Sequence, residues 1–312
     1  MSRHVLWHNV LVLSVHHPDT IACTATRKGD MMAGTSYQSE RYPEQHASAM
    51  CGYSSPVIQA HYLRRQATHQ AAFFLPYLHP GMTLLDCGCG PGAITLGLAE
   101  AVAPGQVVGV DREPSMVDRA CALAQEHQVA HVRFQVGDLC DLPLPSSSFD
   151  AVFTCAVLEH LADPVQALRE IGRVLTPGGI VGVVSTDWSE PLISPRDDAL
   201  RHFFTLFERG FQHHGGSLQR GRHLRGMLHQ AGLTALAVTA ACSSASTPEA
   251  LRQTVDVYID WMETMPLFDQ AIALGWIDRG ALGDMQARMR QWSAHPDAFL
   301  ATLRCEAMGR KA

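Results

Sequence analysis

The chain has no CxxC pair, no basic run longer than a pair such as Arg64-Arg65, and no long apolar stretch near its start. Between residues 80 and 187 it also has no tryptophan or tyrosine. Each absence removes a class of function. Nine cysteines scattered over 312 residues without paired spacing exclude a compact disulfide framework and a zinc ribbon. They read as reduced thiols of a cytoplasmic protein, with no structural metal. A formal net charge of -6 and the lack of basic clusters leave no face for a polyanion, so nucleic acid is not an expected partner. The stretch Val10 to Val15 is too short to span a bilayer, so no membrane span is expected.

What is present is the composition of a folded domain, 46% hydrophobic and 17% charged. The length suits one core with sizeable insertions better than two independent domains, as a monomer or a homodimer. Residues 1–50 lack a clear helical or strand period at their start and read as an extension. Residues 51–312 read as the domain. A leading helix is predicted from Val57 to Leu78, ended by Pro80-Gly81. Strands are then predicted at 83–86, 107–110, 132–136, 149–154 and 180–186, with helices at 93–102, 114–125 and 164–174 between them. This alternation implies a parallel, doubly wound α/β sheet. The run Ile180-Val181-Gly182-Val183-Val184 fits a strand covered on both faces.

After Asp187 the rhythm changes to aromatic helical stretches, with a sixth strand near 233–239 and a last strand over 298–309. The core is therefore assigned to 80–187, and substrate-covering helical insertions to about 188–216 and 243–297.

In an open parallel sheet, ligands bind beyond the carboxyl ends of the strands. Gly88, Gly90 and Gly92 follow the first strand directly, while Asp86, Asp111 and Asp138 end three successive strands. Each residue has a plainer role open to it. The glycines could form only a tight turn, and Asp111 and Asp138 could cap the helices that follow.

The stretch from Leu84 to Gly92, an acidic residue before a GxGxG turn, resembles the first motif of class I S-adenosylmethionine-dependent methyltransferases. The resemblance continues through Val107–Asp111, Gly137-Asp138, Phe149–His160 and Leu175-Thr176-Pro177-Gly178-Gly179. The Leu158-Glu159-His160-Leu161 sequence is closer to the branch of ubiquinone and menaquinone biosynthesis enzymes. Cys155-Ala156-Val157-Leu158 stands where methyltransferases of nucleobase or glutamine nitrogens carry Asn/Asp-Pro-Pro-Tyr.

This resemblance implies a Rossmann-like, mostly parallel sheet with an antiparallel C-terminal strand, an N-terminal helix and a helical substrate lid. It implies S-adenosyl-L-methionine as cofactor. Asp86 would stabilise its ammonium and the turn Gly88 to Gly92 would hold its methionine end. Asp111 would accept both ribose hydroxyls and Asp138 would take the adenine amino group. Arg112, Met116 and Leu139 would flank the ring, and Cys155 would lie near the sulfonium. The reaction would be in-line methyl transfer to a small acceptor. An oxygen acceptor calls for a base, and His160 is chosen among Glu159, Asp187, His213, His214 and His223.

The later aromatics suit a hydrophobic or aromatic metabolite, with Tyr53 and Trp188 as pocket residues, although such rings also serve to glue helices to a sheet. Two rival readings stay open. Gly88-x-Gly90-x-x-Ala93 with Asp111 downstream also fits a nicotinamide dehydrogenase, and the fold could persist as a non-catalytic scaffold.

Overall fold

Buried strands built from near-continuous apolar runs form the centre of the molecule. The computed structural model describes residues 56–312. Tyr53 and the extension at 1–50 lie outside the described residues. The strands are β1 (Leu84–Cys87), β2 (Val107–Asp111), β3 (Val132–Val136), β4 (Phe149–Cys155), β5 (Leu175–Ser194), β6 (Leu233–Ala245) and β7 (Phe299–Lys311). They form one sheet in the order β3-β2-β1-β4-β5-β7-β6. β1 pairs in parallel with β2 and β4, whereas β7 runs antiparallel between β5 and β6. This is the Rossmann-like sheet with an antiparallel C-terminal strand.

The order reverses at β1, which places the ends of β1, β2 and β4 around one crevice. All four residues of β1 are buried, because helices cover both of its faces. One face packs on α5 (Pro164–Val174) and α7 (Leu224–Gln230) through Leu168, Ile171 and Leu228. The other packs on α3 (Ala93–Val102) and Phe74. α4 (Pro114–Glu126) lies near the far edge, where Val117 and Ala120 meet Phe134 of β3.

The predicted single leading helix is broken. α1 (Pro56–Leu63) and α2 (Ala67–Gln70) are separated at Gln66, whose backbone is extended, and a 3-10 turn follows at Leu75–Tyr77. The two parts serve different cores, which one straight helix could not reach. Ile58 packs with the C-terminal helices, whereas Ala67, Ala71 and Phe74 pack under the sheet. Phe74 lies so close to Gly182 that a Cβ there would stand 2.6 Å from its ring.

β5 and β6 outrun their predicted bounds because β7 pairs with both, to Ser194 on one side and Ala245 on the other. No helix joins β3 to β4, so Asp138 has no following helix to cap.

A second core is built from α6 (Asp198–His213), α8 (Pro248–Thr264), α9 (Pro266–Ala273) and α10 (Arg279–Ser293), together with Ile58 of α1. Aromatic stacking holds it together. Phe203 stacks on Phe207 at 5.7 Å, on Tyr258 at 4.9 Å and on Phe268 at 5.9 Å between ring centres.

Candidate functional site

The turn after β1 is a left-handed one that needs its glycines. Gly88, Gly90 and Gly92 have φ of +75°, +53° and +86°. At Gly88 a Cβ would collide with Val157, and at Gly92 it would meet Ala120 at 3.0 Å. Gly90 has open space on its Cβ side, so the turn presents bare backbone to the crevice there. The amides of Gly88 and Cys89 both donate to the Val110 carbonyl, at 2.7 and 3.1 Å, tying the turn to β2.

Asp111 completes that tie. Its Oδ2 accepts from the Gly90 amide at 2.8 Å and its Oδ1 from the Glu113 amide at 2.9 Å. Burial raises this carboxyl above its ordinary 3.8, against bonds from the Glu113, Gly90 and Arg112 amides. α4 begins after Glu113 without a side-chain cap, so Asp111 fixes the turn and does not cap the helix.

Asp138 is held in the same manner, with Oδ1 accepting from the Cys140 amide at 2.8 Å.

A cleft lies over these strand ends, with about 1000 Å³ of empty space counting its open mouth. Gly88, Gly90, Asp111, Arg112, Met116, Asp138, Leu139, Cys155 and His160 all line it. Three of the residues singled out in the sequence do not. Asp86 is buried beneath the turn, where its Oδ2 accepts from the Thr95 hydroxyl at 2.6 Å, and burial pushes its pKa up to about 7. Gly92 is buried under the start of α3. Trp188 packs among Phe204, Phe207, Tyr258 and Trp261 at 5.9–6.4 Å, as part of the second core.

The opposite wall of the cleft comes from residues the sequence did not single out for it. Tyr62 and Arg65 reach it from the corner between α1 and α2. Ala156, after β4, also lines it and takes φ +59°, a conformation uncommon for a residue with a Cβ. Its amide donates to the Val184 carbonyl at 3.0 Å, which holds the strained turn in place.

His160 faces the cleft from the 3-10 turn Leu158–His160, with the Phe211 ring 5.0 Å away. Desolvation by the surrounding packing, helped by the Arg65 charge, lowers its pKa to about 4. The imidazole is therefore neutral near pH 7. Glu159 beside it is buried and accepts from the Ser185 hydroxyl at 3.0 Å, and burial raises its pKa to about 7.

Two of the other base candidates are engaged elsewhere. Asp187 forms a two-pronged pair with Arg222, at 2.6 and 3.1 Å, and His214 contacts Gln270 at 2.6 Å. The Cys87 and Cys89 thiols are buried, and desolvation pushes both up, so they are protonated. Among the described residues no helix is long and apolar enough to cross a membrane.

Comparison with known proteins places this geometry. Residues 85–183 match a family described as "Methyltransferase domain". An uncharacterized methyltransferase of Schizosaccharomyces pombe is 35% identical over 182 residues, covering 56% of this chain and 64% of that protein. A demethylmenaquinone methyltransferase of Lactococcus lactis is 35% identical over 125 residues, covering 40% of this chain and 49% of the enzyme. This chain thus spans less than two thirds of the length of these curated relatives. The crystal structure of the YcgJ protein from Bacillus subtilis superposes with a TM-score of 0.55 at 22% identity, covering 78% of this chain and 98% of that one. That last likeness concerns the fold. The dehydrogenase and scaffold readings gain nothing from these matches.

Proposed function

We propose, from the match of residues 85–183 to the methyltransferase-domain family, that the whole protein transfers the methyl group of S-adenosyl-L-methionine to a small, hydrophobic or aromatic acceptor. The observation that carries this reading is the pairing of Asp111 with the Gly90 amide beside a turn whose backbone is bare toward the cleft. That arrangement suits a nucleoside with two vicinal hydroxyls next to a backbone-bound zwitterion.

In this reading Asp111 accepts the ribose hydroxyls, Asp138 faces the adenine amino group, and Arg112, Met116 and Leu139 flank the ring. The turn at Gly88 and Gly90 holds the amino-acid end by close backbone approach. Asp86 acts from below, through Thr95 and the shape of the turn. When bound, the cofactor supplies a methyl group already activated by its sulfonium. The protein contributes position and dryness, and holding two reactants in line can supply roughly 7–11 kcal/mol.

Tyr62, Cys155 and Leu161 wall the acceptor end against water. The neutral His160 imidazole takes the acceptor's proton on a ring nitrogen as the new bond forms. The second helical core serves as the lid over the acceptor, residues 51–312 act as the domain, and the protein works in the cytoplasm as a monomer or homodimer.

The test is turnover. The intact chain, given cofactor labelled on its methyl group and a panel of hydrophobic metabolites, transfers label to at least one of them. Cofactor binding with no transfer to any member would leave the scaffold reading in its place.

A further inference from the structure

Five acidic or basic residues line the cleft: Arg65, Asp111, Arg112, Glu113 and Asp138. Four belong to the ends of β2 and β3, the nucleoside side, where Asp111 and Asp138 are already bound to backbone amides. Arg65 stands alone at the other side, with Tyr62, Cys155, His160 and Leu161.

Its position is prepared. The Arg65 amide donates to the Tyr62 carbonyl at 3.1 Å at the end of α1, and the guanidinium lies 4.4 Å from the centre of the Tyr62 ring. Among the described residues no carboxylate is in ion-pair range of it. Glu159, the buried carboxyl that feels its charge, is bonded to Ser185 instead. The neighbouring cleft residues His160 and Cys155 feel the same positive field, and His160 carries no compensating charge near pH 7. A partly buried guanidinium placed over a ring keeps its planar fork of donors ready for a planar anion.

We propose that Arg65 is a specificity-determining residue and that the acceptor is an organic acid whose carboxylate pairs with its guanidinium inside the cleft. This rests on the methyltransferase reading of the same cleft and narrows the acceptor's chemical class. The carboxylate takes the fork, the apolar body of the acid lies against Tyr62 and Leu161, and the atom to be methylated points toward Cys155. The bridge forms in a partly desolvated site, so the preference for an acid over its neutral counterpart is large. Charged hydrogen bonds of this kind correspond to about 10- to 100-fold in affinity.

The experiment uses the full chain saturated with S-adenosylhomocysteine. It is titrated calorimetrically with a panel of aromatic and alicyclic carboxylic acids, each matched with its primary amide, beginning with 2-naphthoate and 2-naphthamide. At least one acid binds the parent protein tenfold or more tightly than its amide. Arg65→Gln removes that preference while leaving amide binding unchanged, and Arg65→Lys, which keeps charge but loses the fork, restores part of it. Failure of every acid to outbind its amide overturns the proposal, and so does a preference that survives Arg65→Gln. The preceding titration with S-adenosylhomocysteine reads the cofactor assignment separately. Absence of that binding in the parent protein would sink the methyltransferase reading itself, whereas normal binding with no acid preference would sink only the role of Arg65.

Discussion

Asp111, Asp86 and His160 show how burial sorts similar side chains into different tasks. Asp111 meets the cleft with both oxygens already on amides, so its orientation is settled before any ligand arrives. Asp86 sits deeper, buried on the Thr95 hydroxyl. Its proton leaves the unfolded chain near 3.8 and the folded chain near 7, so folding takes up a proton in that window. Its contribution to stability is fully present below pH 3.8 and is lost as pH rises through about 7. Asp86→Asn can still accept from Thr95 and carries no titrating proton. Its stability relative to the parent, read from urea midpoints, shifts in the variant's favour between pH 5 and pH 8, and a pH-independent difference would contradict this assignment.

For His160 the direction is opposite. Burial favours the neutral ring, so its carbon-13 shifts remain those of neutral imidazole from pH 8 down to about 5, and protonation sets in only toward about 4. A midpoint near the ordinary 6.5 would contradict the desolvated setting assigned to the ring.

At the scale of elements, the informative join is β1, its turn and α3. The sequence makes this join legible because each constraint is local: a short apolar run, an acidic residue and glycines at alternate positions. The fit of Gly88 against Val157 is a tertiary consequence of the same join, since Val157 follows β4. Gly88→Ala adds a collision to a positive φ, and the expected loss is about 2–5 kcal/mol in denaturant unfolding. A second change, Val157→Ala, recovers the steric part but leaves the φ penalty. Full stability in the single variant would show that the turn is looser than described.

The opposite wall was not legible. Tyr62 and Arg65 reach the cleft because the leading segment breaks at Gln66 to serve two cores, and helical periodicity at Ile58, Ala67, Ala71 and Phe74 does not encode that break. Ala156 escaped for a similar reason, since a positive φ at alanine leaves no mark in composition. Trp188 illustrates the reverse case: an aromatic after a strand end suggested a pocket, but the rings of α6 and α8 take it into their own core.

The described residues combine a sheet whose strand ends collect carboxylates and glycines with a helical core held together by aromatic rings. The Asp187–Arg222 pair binds β5 to the turn that precedes α7. Burial opposes ionisation of Asp187, but its bonds to Arg222 and Ser189 outweigh that and hold the carboxyl below its usual range. The strand-end site is recognisable from motifs, whereas the helical core is recognisable only from packing.

The central claim is that the cleft over β1, β2 and β3 binds S-adenosyl-L-methionine through Asp111. Calorimetric titration of the intact chain and of Asp111→Ala with S-adenosylmethionine, S-adenosylhomocysteine and NADH tests it most directly. The account predicts binding of the first two and not of NADH, with the substitution weakening affinity about 10- to 100-fold through lost charged hydrogen bonds. Binding of NADH alone, binding of none of the three, or an affinity indifferent to Asp111 would contradict it.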